Sequence, residues 1–161
     1  MKRLGKGVDL TGSMRVLYLG AAHGTTVSHV SDYAEVVYAV EMAPRPMQDL
    51  LAVAERRKNI IPVMADAAHP EEYAPIVEEV DLVFQDVASP VQAEIAIRNR
   101  VFLAPGGYLI LVVKTRSIDS AARPEAVESG VAGEIRSAYT ILDSTWLLPF
   151  HHDHVAFICR K

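Results

Sequence analysis

Five short apolar runs constrain the fold of this chain more than any other feature of its sequence. They are rich in Val, Ile and Leu, and they cover residues 16–19, 36–40, 60–64, 82–84 and 108–113. Each run stops at, or within two residues of, a glycine or a charged residue. Strands that are apolar along their whole length are typical of a parallel sheet whose two faces are both covered.

Helix-length segments separate these runs. Amphipathic or proline-initiated segments cover residues 46–58, 70–78, 90–102 and 123–138, and two further strands fit residues 139–147 and 155–159. Strands that alternate with helices indicate an α/β domain with a parallel sheet. The pattern therefore predicts a doubly wound, mostly parallel, seven-stranded sheet.

Length and composition limit what this domain can be. The chain has 161 residues, so we expect one domain over residues 1–161, with residues 1–13 as a short N-terminal segment. Its single cysteine excludes an intrachain disulfide, and no apolar run approaches the roughly 20 residues of a membrane span. With no signal peptide and no membrane contact expected, we predict a cytoplasmic protein. The net charge of −4 argues against unaided binding of nucleic acid.

The predicted strands end in polar or small residues, and these ends define a candidate site. They are Gly20, Glu41, Asp66, Asp86 and Lys114. Ligands of doubly wound sheets bind at the carboxyl ends of the strands, near the switch in strand order. Taken singly, a glycine here is often only a turn and an acid is often a helix cap, so the prediction depends on their combination.

The loop after the first strand favours one class of ligand. It contains Gly20 and Gly24 but lacks the G-x-G-x-x-G pattern of dinucleotide sites, so a nucleoside without a pyrophosphate fits better. S-adenosylmethionine is such a ligand. Its ribose would meet Glu41, its adenine Asp66 and Ala67, and its methionine tail the Gly20 loop.

Asp86 and Lys114 indicate what chemistry the site supports. A lysine at the rim of a buried sheet can place its ammonium beside a hydroxyl and stabilise a developing alkoxide, while the aspartate holds the lysine in place. An ordinary ion pair at the end of the sheet is the alternative. His152 and His154 would share one face of an extended segment, as metal ligands can, but a surface turn fits better and we predict no metal.

Several motifs in order resemble the fibrillarin family of methyltransferases, particularly its archaeal form. The longest is the run Val16-Leu-Tyr-Leu-Gly-Ala-Ala-His-Gly-Thr-Thr-Val-Ser-His-Val-Ser-Asp32, and the others lie at residues 59–62, 86–88, 106–108, 117–125 and 153–154. The resemblance extends from about Met14 to Lys161. It implies a class I (Rossmann-like) fold that uses S-adenosylmethionine to methylate a ribose 2′-hydroxyl of rRNA or tRNA.

The resemblance also implies partners. In this family a box C/D guide RNA selects the target RNA, and a scaffold protein connects the enzyme to a kink-turn-binding protein. The setting would be the cytoplasm of an archaeal or other prokaryote-like cell. The acidic balance of the chain agrees with RNA being held by such partners.

Residue roles follow from the same resemblance. It assigns catalysis to Asp86, Lys114 and His154, with Lys114 activating the 2′-hydroxyl and Asp86 orienting donor and lysine. It assigns cofactor binding to fourteen residues: Gly20, Ala22, Gly24, Thr25, Thr26, Glu41, Met42, Asp66, Ala67, Asp86, Val87, Ala88, Ser89 and Gln92. Ser89 stands where the family usually has glutamine.

One departure from the family leaves alternatives open. Fibrillarins have an N-terminal region with a further active-site lysine, whereas fifteen residues precede Val16 here, and neither Lys2 nor Lys6 aligns with that lysine. We therefore expect a shortened form. A non-catalytic module that binds S-adenosylmethionine within the particle, or a methyltransferase of small molecules or proteins, is the alternative function.

Overall fold

A seven-stranded sheet, preceded by a separate two-stranded sheet, forms the framework of the molecule. The structure is a computed structural model that describes residues 2–4, 8–10, 12–149 and 151–161. The strands of the small sheet are antiparallel: β1 (Lys2–Leu4) and β2 (Val8–Leu10). The strands of the main sheet are β3 (Met14–Leu19), β4 (Ala34–Glu41), β5 (Ile60–Met64), β6 (Val80–Gln85), β7 (Leu103–Lys114), β8 (Thr140–Trp146) and β9 (His154–Arg160).

The order of the strands across the sheet is β5-β4-β3-β6-β7-β9-β8. The first five strands in this order, from β5 to β7, are parallel to one another, and β9 runs antiparallel to both β7 and β8. The predicted mostly parallel, seven-stranded sheet is confirmed. The chain builds outward from β3 to β5 and then returns to place β6 on the other side of β3, so the switch in strand order lies between β3 and β6.

Helices cover both faces of the sheet. They are α1 (Thr25–Ser31), α2 (Pro44–Arg56), α3 (Gln92–Asn99), α4 (Thr115–Ile118) and α5 (Pro124–Ile135). Val27 of α1 and Leu50 of α2 are buried against one face, while Ile95 of α3 and Ile135 of α5 are buried against the other. In the part of the chain that the structure describes, no helix is both long and apolar enough to cross a bilayer.

The predicted helix at residues 70–78 is wrong. Only a single 3₁₀ turn forms there, Pro70–Glu72, and the chain continues in turns. Pro75 explains the difference, because a proline in a helix interior lacks the N–H for the helical hydrogen bond and clashes with the preceding turn. The predicted helix at residues 90–102 is also shorter than expected, since α3 gives way to a 3₁₀ turn at Arg100–Phe102.

Cys159 is expected to be inert in the folded protein. It is fully buried in β9, and burial raises the pKa of its thiol to about 12. Since the reactive species is the thiolate, reaction with a disulfide reagent at pH 8 should be about 1,000-fold slower than for an exposed thiol. Guanidinium should restore the reaction because it unfolds the protein and exposes the thiol, and rapid labelling of the native protein would contradict the burial.

The same thiol makes the free energy of unfolding depend on pH. Because the thiol of the unfolded chain ionises first as the pH rises past 9, this group lowers stability at alkaline pH.

Candidate functional site

A cavity of about 550 Å³ opens at the carboxyl ends of the parallel strands, beside the switch between β3 and β6. Its size is typical of sites for small molecules, which span about 300–1,000 Å³. The lining residues come from the ends of β4 and β7, from the loops that follow β3, β4, β5 and β6, and from α2 and α3. They are Gly20, Ala22, Val40, Glu41, Met42, Pro46, Ala65, Asp66, Ala67, Ala68, Asp86, Val87, Ala88, Ser89, Pro90, Val91, Ile95 and Lys114.

Gly20 allows the two loops at the strand switch to touch. Its φ of +83° is a left-handed conformation, and a Cβ atom there would lie 2.5 Å from the carbonyl oxygen of Asp86 and 2.9 Å from Cγ1 of Val87. On its other side, the N–H of Gly20 donates to the carbonyl of Val40 at 3.0 Å. The absence of a side chain therefore brings the first loop directly against the loop that carries Asp86.

Glu41 connects the first loop to the start of α2. Its carboxylate accepts hydrogen bonds from the N–H of Ala22 at 2.7 Å and from the N–H of Ala43 at 2.8 Å. Ala22 has a φ of +46°, so the carboxylate stabilises a strained turn. Each carboxylate oxygen retains a further lone pair for a ligand hydroxyl.

The loop after β5 is held from behind by buried polar side chains. Asp66 Oδ1 accepts from the N–H of Ala68 at 2.9 Å. The carbonyl of Ala67 accepts from Asn99 Nδ2 at 2.9 Å and from the Tyr73 hydroxyl at 3.3 Å. Because Asn99 and Tyr73 are fully buried and bonded to each other, this wall of the cavity is rigid.

Asp86 and Lys114 form an ion pair at the cavity wall. Lys114 Nζ lies 2.9 Å from Asp86 Oδ1 and also donates to the Asp86 carbonyl at 3.4 Å. The two side chains are 31% and 27% exposed, so the pair is partly desolvated yet can be reached from the cavity. Among the described residues no donor meets Oδ1 in hydrogen-bond geometry, so the ammonium alone balances this shielded oxygen.

His154 lies next to Lys114 but outside the cavity lining. The two residues are directly opposite in the antiparallel pairing of β7 and β9, so their side chains point to the same face of the sheet. His154 Nδ1 is 3.1 Å from Asp153 Oδ1, and its ring contacts that of His151 edge to face. Among the described residues, no group of three His, Cys, Asp or Glu side chains is arranged to hold a metal.

The cavity contains ten of the fourteen predicted cofactor residues, and the other four lie outside its lining. Thr25 and Thr26 are exposed at the start of α1, next to the first loop. Gly24 lies behind them, where a Cβ atom would meet Leu50 Cδ1 at 3.1 Å. Gln92 is fully buried, and backbone groups occupy its amide. Cofactor contact by all fourteen residues remains a prediction, and the structure brings ten of them together around one cavity.

Sequence reasoning missed several residues that shape the site. Pro46, Ala65, Val91 and Ile95 line the cavity, but as apolar residues they carry no signal that separates them from the core. Tyr18 is buried beneath the site and stacks on Phe84 at 4.8 Å between ring centroids. Burial, with the nearby Asp86 carboxylate adding to it, raises the pKa of Tyr18 well above its ordinary value, so the hydroxyl stays neutral.

The order of the strands, with β9 antiparallel between β7 and β8, is that of the class I methyltransferase fold. Within that class, comparison with protein-family profiles identifies one family. The family profile named Fibrillarin matches residues 4–161, and the chain belongs to the fibrillarin family.

Relatives and solved structures agree with this membership. The fibrillarin-like rRNA/tRNA 2′-O-methyltransferase of Methanoculleus marisnigri is 63% identical over 158 residues, which cover 98% of this chain and 79% of that protein. A fibrillarin/Nop5p complex contains a chain with a TM-score of 0.92 and 42% identity, covering 98% of this chain and 77% of that one. Aeropyrum pernix fibrillarin, solved with natively bound S-adenosyl-L-methionine, gives a TM-score of 0.86 and 41% identity, covering 96% and 69%.

Proposed function

We propose that this chain is a ribose 2′-O-methyltransferase that uses S-adenosylmethionine to modify rRNA or tRNA as the catalytic subunit of a box C/D guide ribonucleoprotein. The observation that carries the proposal is the Asp86–Lys114 pair, 2.9 Å apart, at the wall of the switch-point cavity. Membership of the fibrillarin family and the activity that its relatives are named for support the same reaction.

The cavity fits S-adenosylmethionine in size and in chemistry. Its volume of about 550 Å³ suits a nucleoside that carries an amino-acid tail. The Glu41 carboxylate would accept hydrogen bonds from the ribose, and Asp66 with Ala67 would flank the adenine between apolar walls. The methionine part would lie along the loop that begins at Gly20, which lines the cavity.

Lys114 and Asp86 would have different roles in activating the ribose 2′-hydroxyl. When bound, S-adenosylmethionine supplies a methyl group made electrophilic by its sulfonium charge. Lys114 would hold its ammonium beside the ribose 2′-hydroxyl and stabilise the negative charge that develops on the attacking oxygen. The hydroxyl proton would pass to solvent water, which reaches this partly exposed pair, as the C–O bond forms and the C–S bond of the donor breaks. Asp86, only partly exposed, would hold the ammonium at that position, and orientation by this pair would supply much of the acceleration.

Partners would bring the RNA to this site. With a net charge of −4, the chain has no overall basic excess that would drive unaided binding to phosphates. A scaffold protein would hold it, as Nop5p accompanies the fibrillarin in the complex described above. Guide RNA and a kink-turn-binding protein would complete the particle, in the cytoplasm of an archaeal cell.

The deciding experiment is methyl transfer in a reconstituted particle. We expect transfer of the labelled methyl group to one guided nucleotide when the chain, scaffold protein, kink-turn-binding protein and guide RNA are all present. Omitting the guide RNA should abolish transfer, because the acidic chain does not select RNA by itself. Mass spectrometry of the digested target would locate the modified ribose.

A target with a 2′-deoxy sugar at the guided position is the matched control, since it removes only the acceptor hydroxyl. Transfer to that target, or equal transfer without guide RNA, would contradict ribose methylation directed by a guide. Tight binding of S-adenosylmethionine in calorimetry with no transfer to any guided target would instead indicate a non-catalytic module.

A further inference from the structure

The backbone of Lys114 extends beyond the end of β6, the strand that pairs with β7 on the side away from β9. In the parallel pairing of β6 with β7 the last pair is Gln85 with Leu111, three residues before Lys114. On the opposite side Lys114 is paired with His154 of β9. The edge of Lys114 that faces away from β9 therefore has no neighbouring strand, and a buried backbone group needs another partner.

The side chain of Gln92 takes the place of that strand. Its Oε1 accepts from the N–H of Lys114 at 3.0 Å, and its Nε2 donates to the Lys114 carbonyl at 3.1 Å. A carboxamide has the same donor and acceptor groups as a peptide unit, so one side chain satisfies both backbone groups of Lys114. Gln92 is fully buried at the start of α3, where packing holds its orientation.

A second buried glutamine connects Gln92 to β6, the strand that Asp86 directly follows. Gln85, the residue before Asp86, is fully buried and donates from Nε2 to the carbonyl of Gln92 at 2.7 Å. Gln92 Nε2 also donates to the carbonyl of Ser89 at 2.8 Å, in the loop after Asp86. The ends of β6 and β7 are thus joined through two amides as well as through the ion pair.

We propose that Gln92 is a positioning residue that fixes the backbone of Lys114 and so sets the place of its ammonium beside Asp86. The proposal rests on the proposed function, in which Lys114 acts on the acceptor hydroxyl. A lysine side chain has four rotatable bonds, so its ammonium can hold one position only if its backbone is fixed. Misplacing a reacting group by about 1 Å can cost 100-fold in rate.

Two variants test this. Gln92→Met has similar length and bonds to neither backbone group of Lys114, whereas Gln92→Glu keeps an acceptor for its N–H. In the assembled particle we expect Gln92→Met to lower kcat about 100-fold and Gln92→Glu to lower it less. The Kd for S-adenosylmethionine and the KM for target RNA should stay within about threefold, because Gln92 does not line the cavity.

A control separates positioning from general destabilisation. Ile135→Ala removes a fully buried side chain of α5 and leaves the contacts of Lys114 in place. At a temperature where circular dichroism shows all variants folded, it should keep the wild-type kcat. Amide hydrogen exchange gives a readout independent of activity, and Lys114 N–H should exchange faster in Gln92→Met than in wild type or Ile135→Ala.

The outcomes are distinguishable. Faster exchange at Lys114 with a fall confined to kcat supports the proposal. An unchanged kcat in a folded Gln92→Met, or losses of kcat and cofactor affinity that match those of Ile135→Ala, would overturn it. A wild-type particle that transfers no methyl group would contradict the proposed function instead. In that case an unchanged hydrogen-exchange rate of the Lys114 N–H in Gln92→Met would still refute the positioning role of Gln92.

Discussion

Lys114→Ala is expected to lower the single-turnover rate of methyl transfer in the reconstituted particle by about 1,000-fold. Positioned groups that act on a proton or a developing charge contribute roughly 100- to 10,000-fold. Lys114 provides the ammonium that lies 2.9 Å from Asp86 at the cavity wall. Alanine removes that charge and leaves the shielded Oδ1 atom of Asp86 without its counter-ion, so the carboxylate also loses its fixed orientation.

Lys58→Ala is the matched control. It removes the same side chain from an exposed position between α2 and β5, at the amino end of the strands and away from the cavity. It should leave the rate unchanged, and both variants should bind S-adenosylmethionine as well as wild type within about threefold. Full activity of Lys114→Ala would exclude Lys114 from the reaction, whereas equal losses in both variants would indicate a nonspecific effect of positive charge on RNA binding.

Gly20→Ala should weaken the binding of S-adenosylmethionine by about 100-fold. Adopting a φ of +83° costs an alanine roughly 1–2 kcal/mol. Crowding of its methyl group against Asp86 and Val87 costs about another 1–3 kcal/mol. The new methyl group would lie 2.5 Å from the Asp86 carbonyl, which is backbone and cannot rotate away. The two loops must therefore separate, and that movement displaces Asp86 and Val87 within the cavity. A change of 1.4 kcal/mol in binding is tenfold in Kd.

Gly130→Ala provides the control for the same substitution in open space. A Cβ atom on Gly130 meets nothing within 4 Å, and the residue is exposed inside α5. Alanine there should raise the free energy of unfolding by about 0.5–1 kcal/mol, because glycine disfavours a helix. Calorimetric titration with S-adenosylmethionine and thermal unfolding of both variants would compare them. Wild-type affinity in Gly20→Ala would show that the loop contact does not shape the cofactor site.

Much of the fold could be predicted from the apolar runs. Runs that are apolar on both sides can be buried only between two helical layers, so the five runs predicted the five parallel strands. Every end agrees within two residues except the start of β7, which begins at Leu103, five residues before its run. The helix at residues 70–78 failed for a local reason, since Pro75 outweighed the favourable acidic start at Pro70. The breakdown of α3 into a 3₁₀ turn at Arg100–Phe102 carried no comparable signal.

The polar part of the site was predictable, whereas its walls were not. Each of the four charged residues stands at the end of an apolar strand or within two residues of it, and all four line one cavity: Glu41, Asp66, Asp86 and Lys114. Ile95 and Val91 line it too, yet an apolar residue on a helix has the same sequence pattern whether it faces a cavity or the core. Gln92 was predicted near the cofactor, and only the structure places its amide on the backbone of Lys114.

The sequence by itself determined the layered fold, the family and the chemical groups at the strand ends, because periodicity and residue type act over short stretches of chain. The residue types at the strand ends also predicted that Asp86 would lie beside Lys114, and the tertiary structure is what brings the two residues together. Asp86 and Lys114 are 28 residues apart and form a pair because β6 and β7 are neighbours in the sheet. Gly20 needs its missing side chain only because β6 returns beside β3, and no local pattern encodes that contact.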